Sequence, residues 1–222
     1  MSTKGRSRVR ISSEARSAEG SPVNEEFARR TRAYPMMLFV TYSIRDGSEE
    51  KGYDAWLQRV DNPFFNAQPG VFHYSNWKIA GGANPFEPRT HFDFLGMTGE
   101  ESFDPVWNAP EFNRFRNVWR HLWGVAPIAD KAGNSQTYLC ERTARAEMPW
   151  SEFSVLLPAA AGETLPGWDT WRVSRNIRGP ELPFTAFHVR FVARRAEFEA
   201  LAAKHDRAML ATLIAAPSDQ PE

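Results

Sequence analysis

The chain of 222 residues has one cysteine, Cys140. That excludes an internal disulfide framework and any site built from several thiolates, and it fits a reducing cytoplasm. No apolar run is long enough to span a bilayer as a helix, so no membrane partner is expected. Charge of one sign is also missing. Lys plus Arg and Asp plus Glu stand at 27 each, so no long-range field draws the protein to nucleic acid. There is no Gly-rich phosphate loop, nucleophile elbow or nicotinamide fingerprint. No His-x-x-x-His or Glu-x-x-His pattern falls on an expected helix, and no metal site is expected. His91, Asp93 and His188 could form a two-His, one-carboxylate set, but Arg190 would put positive charge beside the ion. Residues 1–33 carry Arg, Ser and Glu without a central apolar stretch, and read as a disordered arm rather than a secretory signal.

Aromatic residues are abundant, with eight Trp and sixteen Phe. They supply large buried area and can line a pocket for a flat ligand. Met37 to Ile44 is rich in β-formers and reads as a strand closed by Arg45-Asp46-Gly47. Tyr53, Trp56, Leu57 and Val60 have helical spacing, and Asp61-Asn62-Pro63 is expected to end that helix. Strands follow at Val71 to Ile79 and Thr90 to Leu95, joined by a connection containing Gly81-Gly82. A second helix begins near Asp104-Pro105, carries Phe115, Val118, Trp119 and Leu122 on one stripe, and stops at Gly124. A short strand is expected at 125–128.

The order then repeats. Thr137-Tyr138 echoes Thr41-Tyr42, Trp171-Arg172-Val173 echoes Trp77-Lys78-Ile79, and His188-Val189-Arg190-Phe191 echoes His91-Phe92-Asp93-Phe94. Trp150, Phe153 and Leu157 suggest a short helix cut by Pro158, residues 196–205 a second helix, and Met209 to Ala215 a last strand. The expected class is α+β: two ferredoxin-like β-α-β-β-α-β units, over 34–130 and 131–217, packed sheet to sheet as a pseudo-dimeric α/β barrel. This layout resembles the dimeric α/β-barrel superfamily. Phe39 to Ile44, His73 to Trp77 and Phe112 to Gly124 look most like its EthD-like and HapK-like branches. The resemblance implies a small-molecule pocket. It chooses none of the superfamily's cofactor-free monooxygenases, cyclases, isomerases, lyases, haem enzymes or non-catalytic members.

Strand alternation sorts the side chains. The apolar set Phe92, Phe94, Val189 and Phe191 is expected beneath the helices. His91, Asp93, His188 and Arg190 are then expected in the space between the sheets, Asp93 opposite Arg190, as the catalytic set. Tyr42, His73, Trp77 and Trp171 are the candidate substrate-binding residues; either His73 or Tyr74 can face inward, but not both unless the strand bulges. These groups suit a cofactor-independent enzyme of lyase, isomerase or cyclase type acting on a small hydrophobic, aromatic or polyketide-like molecule. Histidine would move the proton, and Arg190 or Tyr42 would hold the resulting oxyanion. Oxygenation of a carbanion would need the same proton transfer. A haem held by His91 or His188 and a non-catalytic carrier are the alternatives. A homodimer of the whole chain stays open.

Overall fold

The computed structural model describes residues 34–148 and 151–217; the arm over 1–33 and Trp150 lie outside them. Eight strands carry the fold: β1 (Met36–Tyr42), β2 (Val71–Gly82), β3 (His91–Met97), β4 (Ser135–Ala144), β5 (Phe153–Ala159), β6 (Asp169–Arg178), β7 (Ala186–Val192) and β8 (Met209–Ala215). They close an antiparallel barrel in the order β1-β3-β2-β8-β5-β7-β6-β4. Two runs of four can be read round it, β4-β1-β3-β2 and β8-β5-β7-β6, each with its last strand first. No helix among the described residues is long and apolar enough to cross a membrane.

The first run is well covered by helices. α1 (Tyr53–Trp56) passes through a π-helical turn (Leu57–Asp61) into α2 (Asn62–Asn66). Asp61-Asn62-Pro63 therefore does not stop the helix. Pro63 has no N–H for the carbonyl of Arg59, and its ring crowds that carbonyl; the chain widens by one residue there and continues. α3 (Phe103–Trp107) and α4 (Pro110–Leu122) lie beyond β3. α4 has proline in its first turn with Glu111, and Arg120 and His121 in its last, matching the helix dipole at both ends. A short α5 (Lys131–Asn134) leads into β4, and α6 (Arg195–Ala202) joins β7 to β8.

Several expected elements differ in the structure. Residues 125–128 form turns after a single bridge between Ile44 and Gly124, not a strand. The strand containing Thr137-Tyr138 lies between β1 and β6 and pairs with both. The helix expected around Phe153 and Leu157 is strand β5, whose Pro158 sits opposite Phe187. Gly81-Gly82 ends β2 rather than forming a loop. Gly82 has φ +78°, and a Cβ there would lie 2.2 Å from the Ala208 carbonyl oxygen.

The facing of the strands is the largest correction. Phe92 and Phe94 point into the barrel with Met37, Phe39, Trp77, Tyr138, Cys140, Trp171, Phe187 and Val189. An eight-stranded barrel is just wide enough for its own side chains, and here aromatic rings fill it. Phe39 lies at its centre, with ring centroids of Phe187, Phe86, Phe92 and Phe94 at 5.0, 5.2, 5.6 and 5.7 Å. Tyr34 covers one end, where its ring crowds the space a Cβ on Gly96 would occupy and stacks on His73 and Trp171. The alternate residues, His91, Asp93 and Leu95, therefore lie outside the barrel beneath the helices.

Phe39→Ala should remove about 3–5 kcal/mol of stability, because three of its four ring neighbours, Phe92, Phe94 and Phe187, are held on strands and cannot collapse into the void. A denaturant midpoint measures it, and a loss below about 1 kcal/mol would mean the barrel interior is not packed as described.

Candidate functional site

The cavity that opens in this fold lies outside the barrel, between the sheet and the helices of the first run, with a volume of about 70 Å³. Val40, Tyr42, Tyr74, Asp93 and Leu95 form its floor on β1, β2 and β3, and Ser135 of β4 adds one edge. Tyr53, Leu57, Asp61 and Phe65 cover it from α1 to α2. Trp107, Phe112, Phe115, Arg116, Trp119 and Arg120 close the remaining side. Its walls are mainly aromatic, and its polar groups cluster.

The cluster is built on strand register. Val40, Asp93 and Asn76 are cross-strand partners on β1, β3 and β2, and Leu38, Leu95 and Tyr74 form the next row on the same face. Asp93 is thus diagonal to Tyr42 and Tyr74, within reach of long side chains. Tyr42 donates to Asp93 Oδ1 at 3.0 Å, and Asn76 Nδ2 donates to the same oxygen at 2.9 Å. The Tyr74 hydroxyl lies 2.9 Å from Asp93 Oδ2 and 2.9 Å from Asp61 Oδ2, which also accepts from Asn76 Nδ2 at 3.0 Å. Asn62 donates to Asn76 Oδ1 at 3.1 Å, which turns the Asn76 amide protons toward the two acids.

A phenol has one proton, so Tyr74 donates to one carboxyl only, and its oxygen also accepts from Asn76 Nδ2 at 3.0 Å. The two carboxyls thus converge on one hydroxyl, an arrangement that a proton on one of them would complete. Burial acts in the same direction. It raises the Asp61 carboxyl to about 7 against the hydrogen bonds from Tyr74 and Asn76, and it pushes Asp93 well above the usual carboxylate range, with the Asp61 charge adding to the rise. Burial also holds the Tyr42, Tyr53 and Tyr74 hydroxyls protonated, so they act as donors.

Of the residues singled out in the sequence, the cavity gathers Tyr42 and Asp93. His91 lies behind Tyr42, stacked on it at 5.5 Å and meeting Tyr53 edge-on. Its Nδ1 is 2.8 Å from Thr90 Oγ1, and its Nε2 is 4.0 Å from Glu49 Oε1. Burial lowers its pKa to about 4, so it is neutral at physiological pH. His188 and Arg190 lie on β7 in the other run, where Thr170 Oγ1 is 2.9 Å from His188 Nδ1 and Arg190 lies beside Gly167. Burial lowers the His188 pKa as well. Asp93 and Arg190 are not opposite each other: Asp93 pairs with Val40 and Asn76, Arg190 with Val155. Trp77 and Trp171 belong to the barrel interior and His73 to its Tyr34-covered end. His73 and Tyr74 alternate in regular register, and the register shift lies before them, between Val71 and His73, so that Val71 and His73 take opposite faces.

Sequence reasoning missed Asp61, Arg116 and Arg120. A signal for Asp61 was present: Tyr53, Leu57 and Asp61 repeat at four-residue spacing, and all three are buried. An acid on an apolar helical stripe is unusual enough to mark a site. Neither His91 nor His188 lines this cavity. Among the described residues no cluster of three or more His, Cys, Asp or Glu could hold a metal.

No family model matches the chain, and no curated protein matches it. Its fold is similar to a solved anthrone oxidase-like protein, with TM-score 0.54 and 8% identity over 86% of this chain and 96% of that one. A provisionally named monooxygenase from Fusobacterium nucleatum aligns over 86% of this chain and 97% of its own, with TM-score 0.47 and 8% identity.

Because Asp61 binds its proton more tightly folded than unfolded, folding takes up a proton between about pH 4 and 7. The stability it contributes is full below the unfolded value and is lost as pH rises through the folded one. Thermal midpoints should fall across that window, and Asp61→Asn should flatten the fall. An identical slope in the variant would show that Asp61 is an ordinary carboxylate.

Proposed function

We propose that the cavity is the active site of a cofactor-independent enzyme that moves a proton on a small, flat aromatic molecule, with Asp61 and Asp93 as its acid–base pair. The observation that carries this reading is two buried carboxyls, both shifted upward by burial, that converge on the Tyr74 hydroxyl at the floor of an aromatic-walled cavity. Such a pair holds one base and one acid side by side near neutral pH. The ionised carboxylate takes a proton from a phenol or from carbon next to a carbonyl. The hydroxyl of Tyr42 or Tyr74, or the protonated carboxyl, donates to the oxygen that gains charge. The role assigned to histidine from the sequence passes to the aspartates, because His91 is neutral and shielded by Tyr42.

Lyase, isomerase and cyclase chemistry all begin with this step. The fold likeness to a protein with anthrone oxidase in its name favours testing oxygenation first. An anthrone is a tricyclic ketone with an acidic methylene. Its carbanion can pass an electron pair to dioxygen, a returned proton gives the hydroperoxide, and loss of water leaves a carbonyl. We also read the two strand runs as copies of one ferredoxin-like unit, the second without its first helix, since residues 160–168 join β5 to β6 directly. Support for this comes from the shared strand order and the matched His-x-x-x stretches of β3 and β7. The EthD-like and HapK-like assignment rests on the sequence patterns of the first run.

The test is exchange of anthrone methylene protons with deuterium under anaerobic conditions, which reads proton transfer whatever reaction follows. The wild-type rate should rise with pH through about 7. Asp93→Asn should lower it by roughly two to four orders of magnitude, whereas His91→Ala should stay within about tenfold. Full activity in Asp93→Asn would remove the proposed pair, and a small-molecule carrier would accelerate no exchange at all.

A further inference from the structure

The cavity has a second polar end that the proton transfer does not use. Arg116 and Arg120 line it from α4. Behind them Arg178, at the end of β6, lies 5.7 Å from the Trp107 ring, with its Nη1 3.5 Å from Oγ of Ser135, a residue of the cavity edge. The Arg116 guanidinium carbon lies 4.2 Å over the Trp107 ring and 4.6 Å over Phe112, so two cavity rings fix its plane. Its Nη2 donates to the Trp107 carbonyl and to Asn113 Oδ1. Its Nε and Nη1 are buried without a hydrogen-bond partner. Arg120 is itself buried and gives Nη1 to Asn117 Oδ1 at 2.7 Å.

Every acceptor named here is neutral. Burial, with the charges of Arg178 and Arg120 adding to it, lowers the Arg116 pKa to about 9. Among the described residues none of Arg116, Arg120 and Arg178 forms an ion pair, so three like charges gather near a cavity edge without a paired acid. Such burial costs free energy unless an anion joins the cluster. Nε and Nη1 lie on different edges of the guanidinium, so each can give one charge-assisted hydrogen bond to an anion.

We propose that the cavity's ligand is an aromatic carboxylate, held by Arg116 with Arg120 and Arg178 while its reacting end meets Asp61 and Asp93. This rests on the cavity being the active site and names the substrate class that site takes. The carboxylate sets the register of the ring along the aromatic walls, and the aspartates act on whatever that register brings to them.

Quenching of tryptophan fluorescence, with Trp107 and Trp119 in the cavity wall, measures binding of naphthoate and its neutral isostere naphthamide. Naphthoate should bind at least about tenfold tighter. Arg116→Gln should bring the two affinities within about twofold, and Arg178→Gln, which leaves the ring-stacked arginine in place, should narrow the gap in part. Melting curves verify that each variant is folded. Equal affinities in the wild type, or an unchanged preference in both variants, overturn the carboxylate site and leave the proton-transfer reading to the Asp93 experiment. Failure of the wild type to bind either probe overturns both readings together.

Discussion

The width of an eight-stranded barrel constrains everything else in this molecule. Its interior has room for one layer of side chains from each strand. Phe39, Trp77, Phe92, Phe94, Trp171 and Phe187 occupy that room. A barrel filled with rings leaves little room for buried acids. Asp93 and His91 on the same strands face outward instead, and they escape water because helices cover the sheet there. That happens over β1, β2 and β3, beneath α1 to α4. Over the other run a smaller apolar cluster around Val155, Trp168, Val192 and Phe198 closes on itself, with α6 its main helical cover.

The paired acids follow from this placement. Asp93 is fixed by a strand and Asp61 by a helix, so the contact depends on how the helix lies on the sheet. The π turn over Leu57–Asp61 and the proline behind it set that helix's phase, and Asn62 locks the amide that bridges the acids. Two ionised carboxylates joined by one phenol would repel each other in a site where water cannot screen them. Retaining one proton removes the repulsion and leaves the pair both acidic and basic. The cost of keeping such groups out of water is a reason to assign them a task rather than a structural role.

Much of the architecture was legible in the sequence. β1, β2, β3, β7 and β8 fall where β-branched and aromatic runs placed them, and the α4 stripe is helical as its spacing required. Facing was not legible. Every residue of β3 is buried, so alternation separates Phe92 and Phe94 from His91 and Asp93 without saying which set is inside the barrel. The aromatic set was expected under the helices because helices bury apolar faces; ring volume inside a closed barrel decided otherwise. Phe153 to Ala159 was misread because Pro158 suggests a broken helix, yet an irregular strand position tolerates it too. Asp61 was passed over as punctuation, since Asp-Asn-Pro ends helices more often than it bends them. Arg116 and Arg120 gave no signal, because exposed helices are rich in arginine and only the fold turns these two toward a cavity.

The shared proton is the central claim, and infrared spectroscopy of isotope-labelled aspartate carboxyls observes it directly. At about pH 8 the wild type should retain the carbonyl stretch of a protonated carboxyl, and Asp93→Asn should lose it. A wild-type spectrum in which every aspartate is ionised at that pH would contradict the account.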